Sequence, residues 1–166
     1  CNKKKVQLLV PGIDEELLEM YNAFSSNKKT SLFLPSKPFV KNMLDKYSSM
    51  KILKRLGIPV PKTLKLENAS AFSFFPLILK PRFGRGSRGI HIITKVKELE
   101  LYTKLKKINN EDYICQTYEQ GQEYTVQILN FNNEKNFLIV PMKVLLKKGV
   151  TLTSEIDFDD DVISVC

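Results

Sequence analysis

The chain has 166 residues, 43% hydrophobic and 10% aromatic, which is enough for one real core and too apolar for a disordered segment. Its formal charge of +8 comes mostly from scattered lysines. Such a surface suits an anionic ligand or nucleic acid, and is equally a solvated lysine-rich face of the kind seen at Lys3–Lys5.

Cys1, Cys115 and Cys166 form no CxxC pair and are odd in number, which argues against a disulfide framework or zinc site and for a reducing cytoplasm. No apolar run approaches the roughly 18 residues of a membrane span, and no signal-peptide core is present, so no membrane association is expected.

Val6–Val10 reads as a buried strand that ends at the Pro11-Gly12 turn. Asp14 is placed to cap a helix over Glu15–Phe24, with Leu17, Leu18, Tyr21 and Phe24 at helical spacing and acids in the first turn. Ser31–Leu34 is a further short strand. This β-α-β alternation fits the end of a parallel α/β domain.

Ser36 and Pro38 open a helical stretch, and Asp45 is a candidate N-cap for the next, with Met50, Leu53 and Leu56 on one face and Gly57 as its stop. Lys46 stands in that helix's first turn, where the dipole disfavours a cation unless an anion lies nearby. Pro59 and Pro61 force an extended segment, and Thr63–Leu66 begins a strand.

Leu77–Leu79 and Gly89–Thr94 are short β-type runs flanking a loop with Gly84, Gly86, Ser87 and Gly89. Of the arginines Arg55, Arg82, Arg85 and Arg88, all but Arg55 fall in this loop. Glycines let successive N–H groups converge on an anion, and the arginine fork matches phosphate oxygens, so phosphate binding is the working reading against that of a solvated basic turn.

Gly84–Gly89 spells GxGxxG, yet the run after it is short and β-branched, whereas a dinucleotide fingerprint needs a helix there. Ile90-His91 after the last glycine excludes a Walker loop, and the leading Lys80, without HRD or DFG motifs, excludes a kinase loop. A strand–loop–strand clasp with its lysine on the leading strand remains.

Glu98–Ile108 reads as an amphipathic helix with Leu101, Leu105 and Ile108 inward, and Asn109–Asp112 as a turn. Tyr113–Tyr118 and Glu123–Phe131 are strands separated by Gly121, and Phe137–Val140 is another, antiparallel across an Asn132-Asn133 turn. The chain opens without methionine and stops in the alternating pattern Asp161–Cys166, which reads as a fragment of a longer protein.

Four motifs now stand in one order: Asp45-Lys46, LGIPVP at Leu56–Pro61, PLILKPRFGRGSRGI at Pro76–Ile90, and QTYEQGQEYTV at Gln116–Val126. Together they resemble the ATP-grasp superfamily over nearly the whole chain. The likeness is greatest to the large chain of carbamoyl-phosphate synthase and related carboxylate–amine ligases, and more distant to D-alanine–D-alanine ligase. The resemblance implies an α/β (α+β grasp) fold, incomplete here. Residues 1–44 would end a Rossmann-like pre-grasp domain, 45–115 would form the first grasp subdomain, and 116–166 a truncated second one.

The resemblance also implies ATP-binding roles. Lys46 matches the basic residue that reaches ATP from the linker helix, and Lys80 the strand lysine or arginine that contacts the phosphates. Arg82, Gly84, Gly86, Ser87, Arg88 and Gly89 match the loop that closes over the β- and γ-phosphates. Gln116 stands where the family usually places a glutamate on the adenine amino group, and an amide carbonyl can accept there too. Backbone groups of Thr117, Tyr118 and Glu119 would complete the adenine contacts. Glu123 matches the ribose acid, and Gly149, Val150 and Thr151 a further nucleotide segment. Tyr118 and Phe83 themselves read as core or rim packing.

The implied magnesium ligands would lie beyond Cys166, and the acidic run Asp157, Asp159, Asp160, Asp161 reads as solvated rather than as their replacement. His91, the lone histidine, rules out a Ser-His-Asp arrangement and is expected to face solvent or pack on the sheet. No catalytic residue is assignable. The expected function of the full-length protein is Mg2+- and ATP-dependent ligation of a small carboxylate to an amine or ammonia through an acyl phosphate. The fragment alone would bind nucleotide weakly and catalyse nothing. The alternatives are a non-catalytic nucleotide-binding regulatory module and a basic nucleic-acid-binding domain. Against the second, aromatics are not interleaved with the basic residues as stacking platforms.

Overall fold

The computed structural model describes residues 2–24, 29–73, 75–130 and 137–166. The chain divides into two compact units, Cys1–Tyr118 and Glu119–Cys166.

The first unit begins with a two-stranded parallel sheet of β1 (Leu8–Leu9) and β2 (Ser31–Leu32), with α1 (Asp14–Phe24) between them in sequence. The order is the expected β-α-β, but both strands are shorter than Val6–Val10 and Ser31–Leu34. Leu8 and Val10 are more than half exposed, so the expected buried strand lies at the surface, as a lone strand pair has little to bury it. Helix α1 starts at Asp14 itself, which therefore joins Glu15 and Glu16 as first-turn charge and is no cap. Leu17, Leu18, Tyr21 and Phe24 are half-buried, as their spacing predicts.

Helix α2 (Lys37–Leu44) follows Ser36, which occupies the cap position without a side-chain bond. Asp45 then caps α3 (Lys46–Arg55) as expected, accepting from the Tyr47 N–H at 3.1 Å and the Ser48 hydroxyl at 2.7 Å. Gly57, at φ 78°, ends the segment, and Leu56 just before it is exposed in spite of its spacing.

The core lies on one face of a four-stranded antiparallel sheet in the order β3 (Thr63–Lys65), β6 (Tyr113–Thr117), β4 (Leu77–Pro81), β5 (His91–Ile93). Leu77, Leu79, Ile93 and Cys115 are fully buried there against Leu66 and Phe72. Because strand side chains alternate, the register Ile78↔Gln116↔Thr63 and Lys80↔Ile114 puts Lys80, Gln116 and Thr63 together on the opposite face.

Helix α4 (Val96–Leu105) covers the core face, but in a different phase from the expected one. Leu99 and Tyr102 pack inward with Ile108, whereas Leu101 and Leu105 are exposed. The reason is at its start: the Glu98 carboxylate folds back onto the N–H and hydroxyl of Thr94, at 2.7 and 2.8 Å, and this fixes which stripe faces the sheet.

The second unit is an antiparallel meander of β7 (Tyr124–Asn130), β8 (Phe137–Lys148) and β9 (Val150–Ile156). Strand β8 runs well past the expected Phe137–Val140. The expected Asn132-Asn133 turn and Phe131 lie outside the described residues, as does Cys1. The alternating run Asp161–Cys166 is not extended: Asp159 caps a short helix, α5 (Asp160–Val165), by accepting from the Val162 N–H. Acids in its first turn favour that helix over a strand. No described helix is long and apolar enough to cross a membrane.

Candidate functional site

The loop between β4 and β5 departs from ordinary backbone at several positions. Gly84, Gly86 and Gly89 have φ of 105°, 65° and 71°, and Ser87 joins them at 56°. At Gly89 the requirement is also steric, since a Cβ there would lie 2.9 Å from the Pro81 ring. Left-handed residues interleaved with ordinary ones, as here with Arg85 and Arg88 between, can turn N–H groups toward one side, as an anion nest does.

The root of the loop is bolted to α3. Arg82 grips Asp45 through two bonds, its backbone N–H donates to Asp112 at 2.8 Å, and its Nη1 donates to the Glu111 carbonyl at 3.0 Å. Arg82 thus has a structural engagement for its guanidinium. Burial alone pushes the Asp45 carboxyl up, but the Arg82 fork, Ser48 and the Tyr47 N–H outweigh it and hold the carboxyl below its usual range.

Lys46 and Lys80 stand on either side of this root. The Lys46 amine donates to the carbonyls of Gly84 at 2.6 Å and Arg82 at 3.5 Å. The Lys80 amine donates to Gln116 Oε1 at 2.6 Å. Burial lowers both lysines from the usual range. The charge of Lys46 lowers Lys80 further, whereas Asp14 and Asp45 partly offset the effect at Lys46. Among the described residues neither lysine makes an ion pair.

Gln116 is buried, and its Nε2 donates to Thr63 Oγ1 at 2.7 Å. The N–H groups of Thr117 and Tyr118 donate to the carbonyls of Lys62 and Pro76 at 3.0 and 3.3 Å. Tyr118 and Phe83 are partly or largely exposed, so neither is core, and Phe83 lies 5.5 Å from the Arg82 guanidinium carbon.

Arg85 pairs with Glu15 of α1 at 3.0 Å, an exposed contact, and Glu15 also helps line a pocket of about 350 Å³. Asp14, Glu15, Leu18, Met43, Lys46 and Gly84 contribute to its lining. His91, placed by the sequence at the surface or on the sheet, stacks on Tyr102 at 4.2 Å and meets Glu98 at 3.3 Å.

In the second unit Glu123 pairs with Lys147 of β8, and Gly149, Val150 and Thr151 form the β8–β9 hairpin. In the acidic run, Asp157 accepts from the Tyr124 hydroxyl at 2.7 Å and Asp159 caps α5. No cluster of three or more His, Cys, Asp or Glu suited to a metal occurs among the described residues.

Sequence reasoning missed Thr63, Glu15 and Lys147, and took Asp45 for a cap alone. Only pairing register brings Thr63 beside Gln116, 53 residues away, and nothing in local spacing signals that. The donor set that results is suited to a polyphosphate: two half-buried ammonium groups resting on neutral oxygens, beside a left-handed glycine loop. Among the described residues no cluster of acids offers a ligand set for Mg2+.

A family model described as an ATP-grasp domain matches residues 43–156. The chain is 22% identical over 165 residues to a carbamoyl-phosphate synthase of Methanobrevibacter smithii, covering 90% of this chain and 41% of that protein. It is 28% identical over 74 residues to a D-alanine–D-alanine ligase of Petrotoga mobilis, covering 45% of this chain and 24% of that protein. The chain thus spans well under half the length of these relatives. Among solved structures, it superposes on the biotin carboxylase domain of Hydrogenobacter thermophilus 2-oxoglutarate carboxylase with a TM-score of 0.70. That complex holds MgADP, ADP and bicarbonate, and the match covers 89% of this chain and 36% of that one at 18% identity.

Proposed function

Since this chain belongs to the ATP-grasp family, we propose that it is the ATP-binding part of an ATP-dependent ligase that joins a small carboxylate to an amine or ammonia. The observation that carries the reading is the pair Lys46 and Lys80, each bonded only to uncharged oxygens. A half-buried ammonium bonded only to neutral oxygens is under-compensated, and an incoming polyphosphate relieves that cost.

Within this reading Lys46 and Lys80 hold the phosphate chain, and residues 84–89 wrap it with backbone N–H groups and Arg88. Gln116 offers its carbonyl to the adenine amino group, Glu119 serves the base through its backbone, and Glu123 accepts from the ribose hydroxyls. Thr117 and Tyr118 serve the base through backbone groups other than their N–H groups, which bond the carbonyls of Lys62 and Pro76. Gly149–Thr151 supply a further contact. Residues 1–44, 45–115 and 116–166 act as the end of a pre-grasp domain and the two grasp subdomains. ATP supplies the phosphoryl group that activates the carboxylate as an acyl phosphate. The chain's own share is positioning and charge stabilisation, with magnesium supplied on ligands outside the described residues.

Calorimetric titration with ATP and ADP in magnesium buffer tests this. Saturable binding that Lys80→Ala weakens about tenfold or more, roughly 1.4 kcal/mol, is the expected result. Equal affinity in the two proteins, or no binding by the parent, refutes the reading.

A further inference from the structure

Gln116 belongs to a hydrogen-bond chain whose direction is fixed at both ends. The Pro61 carbonyl can only accept, so Thr63 Oγ1, at 2.9 Å, donates to it and offers its lone pairs elsewhere. Gln116 Nε2 fills one of them at 2.7 Å. That leaves Gln116 Oε1 toward the Lys80 ammonium, a donor-only group, at 2.6 Å. Turning the amide over would set NH2 against NH3+ and a carbonyl against the Thr63 lone pair. Gln116 is only 4% exposed, so either clash would sit largely out of reach of water.

We infer that Thr63, through this relay from the Pro61 carbonyl, locks the Gln116 amide with its carbonyl forward and so sets the purine preference of the site. An unrestrained glutamine could meet a 6-amino or a 6-oxo purine by rotating its amide. The locked one presents only an acceptor and favours the 6-amino base. This rests on the nucleotide reading above, with Gln116 at the base edge. Thr63 touches no ligand in this scheme and is a positioning residue.

Thr63→Val keeps the volume but removes the acceptor, leaving Nε2 buried and unpaired, so the Gln116 side chain leaves the relay. Thr63→Ser keeps the hydroxyl. The experiment is a calorimetric comparison of ATP with ITP on the parent chain and both variants, alongside NMR of the Gln116 side-chain amide in the absence of nucleotide. The expected result is an ATP-over-ITP preference of about tenfold in the parent, the size of one unmatched hydrogen bond. Thr63→Val should erase that preference by weakening ATP alone, and Thr63→Ser should retain it. The NMR should show one slowly exchanging Gln116 NH2 pair in the parent and Thr63→Ser, lost in Thr63→Val.

An unchanged ATP:ITP ratio in Thr63→Val, or an equal loss for both nucleotides, overturns the inference while the nucleotide reading stands. A freely exchanging Gln116 amide in the parent overturns it without reference to any ligand. Failure of the parent to bind either nucleotide removes the reading and the inference together.

Discussion

Arg82 and Asp45 meet in a two-point pair, Nε to Oδ1 at 3.1 Å and Nη2 to Oδ2 at 2.7 Å, which ties the root of the glycine loop to the cap of α3. Asp45 is almost fully buried and Arg82 largely so. Asp45→Ala therefore removes a cap and strands a guanidinium, and should destabilise the protein by about 2–4 kcal/mol in urea unfolding.

The same carboxyl gives a pH signature. Its folded-state value is depressed, so its contribution is complete above the unfolded value, roughly pH 4, and fades as pH falls below it. Urea midpoints measured across the acid range should fall for the parent and stay flatter for Asp45→Asn.

Lys46 and Lys80 are held below the usual lysine range in the folded chain. The unfolded state then binds more protons at alkaline pH, so these two groups make stability rise as pH climbs toward the ordinary lysine value. Polyphosphate binding should respond in the opposite sense, because it favours the charged amines. Nucleotide association at mildly alkaline pH should take up protons, seen as a buffer-dependent calorimetric enthalpy that Lys80→Met reduces.

Gly89→Ala forces a side chain into the left-handed region and against Pro81. A loss of about 1–3 kcal/mol is expected. Gly121→Ala has open space around its new Cβ and should be neutral or gain a few tenths of a kcal/mol, roughly, by restricting the unfolded chain. Parallel thermal melts of the two variants check the contrast.

The Tyr124 hydroxyl is pushed up to about 12, first by its bond to Asp157 and then by burial and that acid's charge. Raised in the folded state, it contributes stability that is whole below the unfolded value near pH 10 and declines above it. Tyr21 is also raised, by burial. Ultraviolet titration should therefore show more than one late tyrosine, and Tyr124→Phe or Asp157→Asn should remove the Tyr124 share of that late step.

Much of this arrangement was legible in the residues, because glycines, prolines and capping acids act locally. The β4–loop–β5 hairpin, the Asp45 cap and the lysine leading the loop all follow from such signals. Three features were not. The stripe of α4 that faces the core depends on Glu98 reaching back to Thr94, which leaves Leu101 and Leu105 exposed although their spacing is helical. The end of the chain alternates like a strand, yet Asp159 caps it into a helix. Thr63 is silent in sequence, since its role arises from strand register across half the first unit.

The glycine loop has two firm footings. Arg82 is clamped on one side, and on the other Gly89 runs too close to the Pro81 ring to admit a Cβ. Under the proposed nucleotide reading, ordering on an anion falls on residues 83–88, at about 1–2 kcal/mol of backbone entropy for each one fixed. The sheet need not distort for the loop to shut or lift. On that same reading, trapping and release would be a local stroke, its duration set by those few residues rather than by the body of the domain.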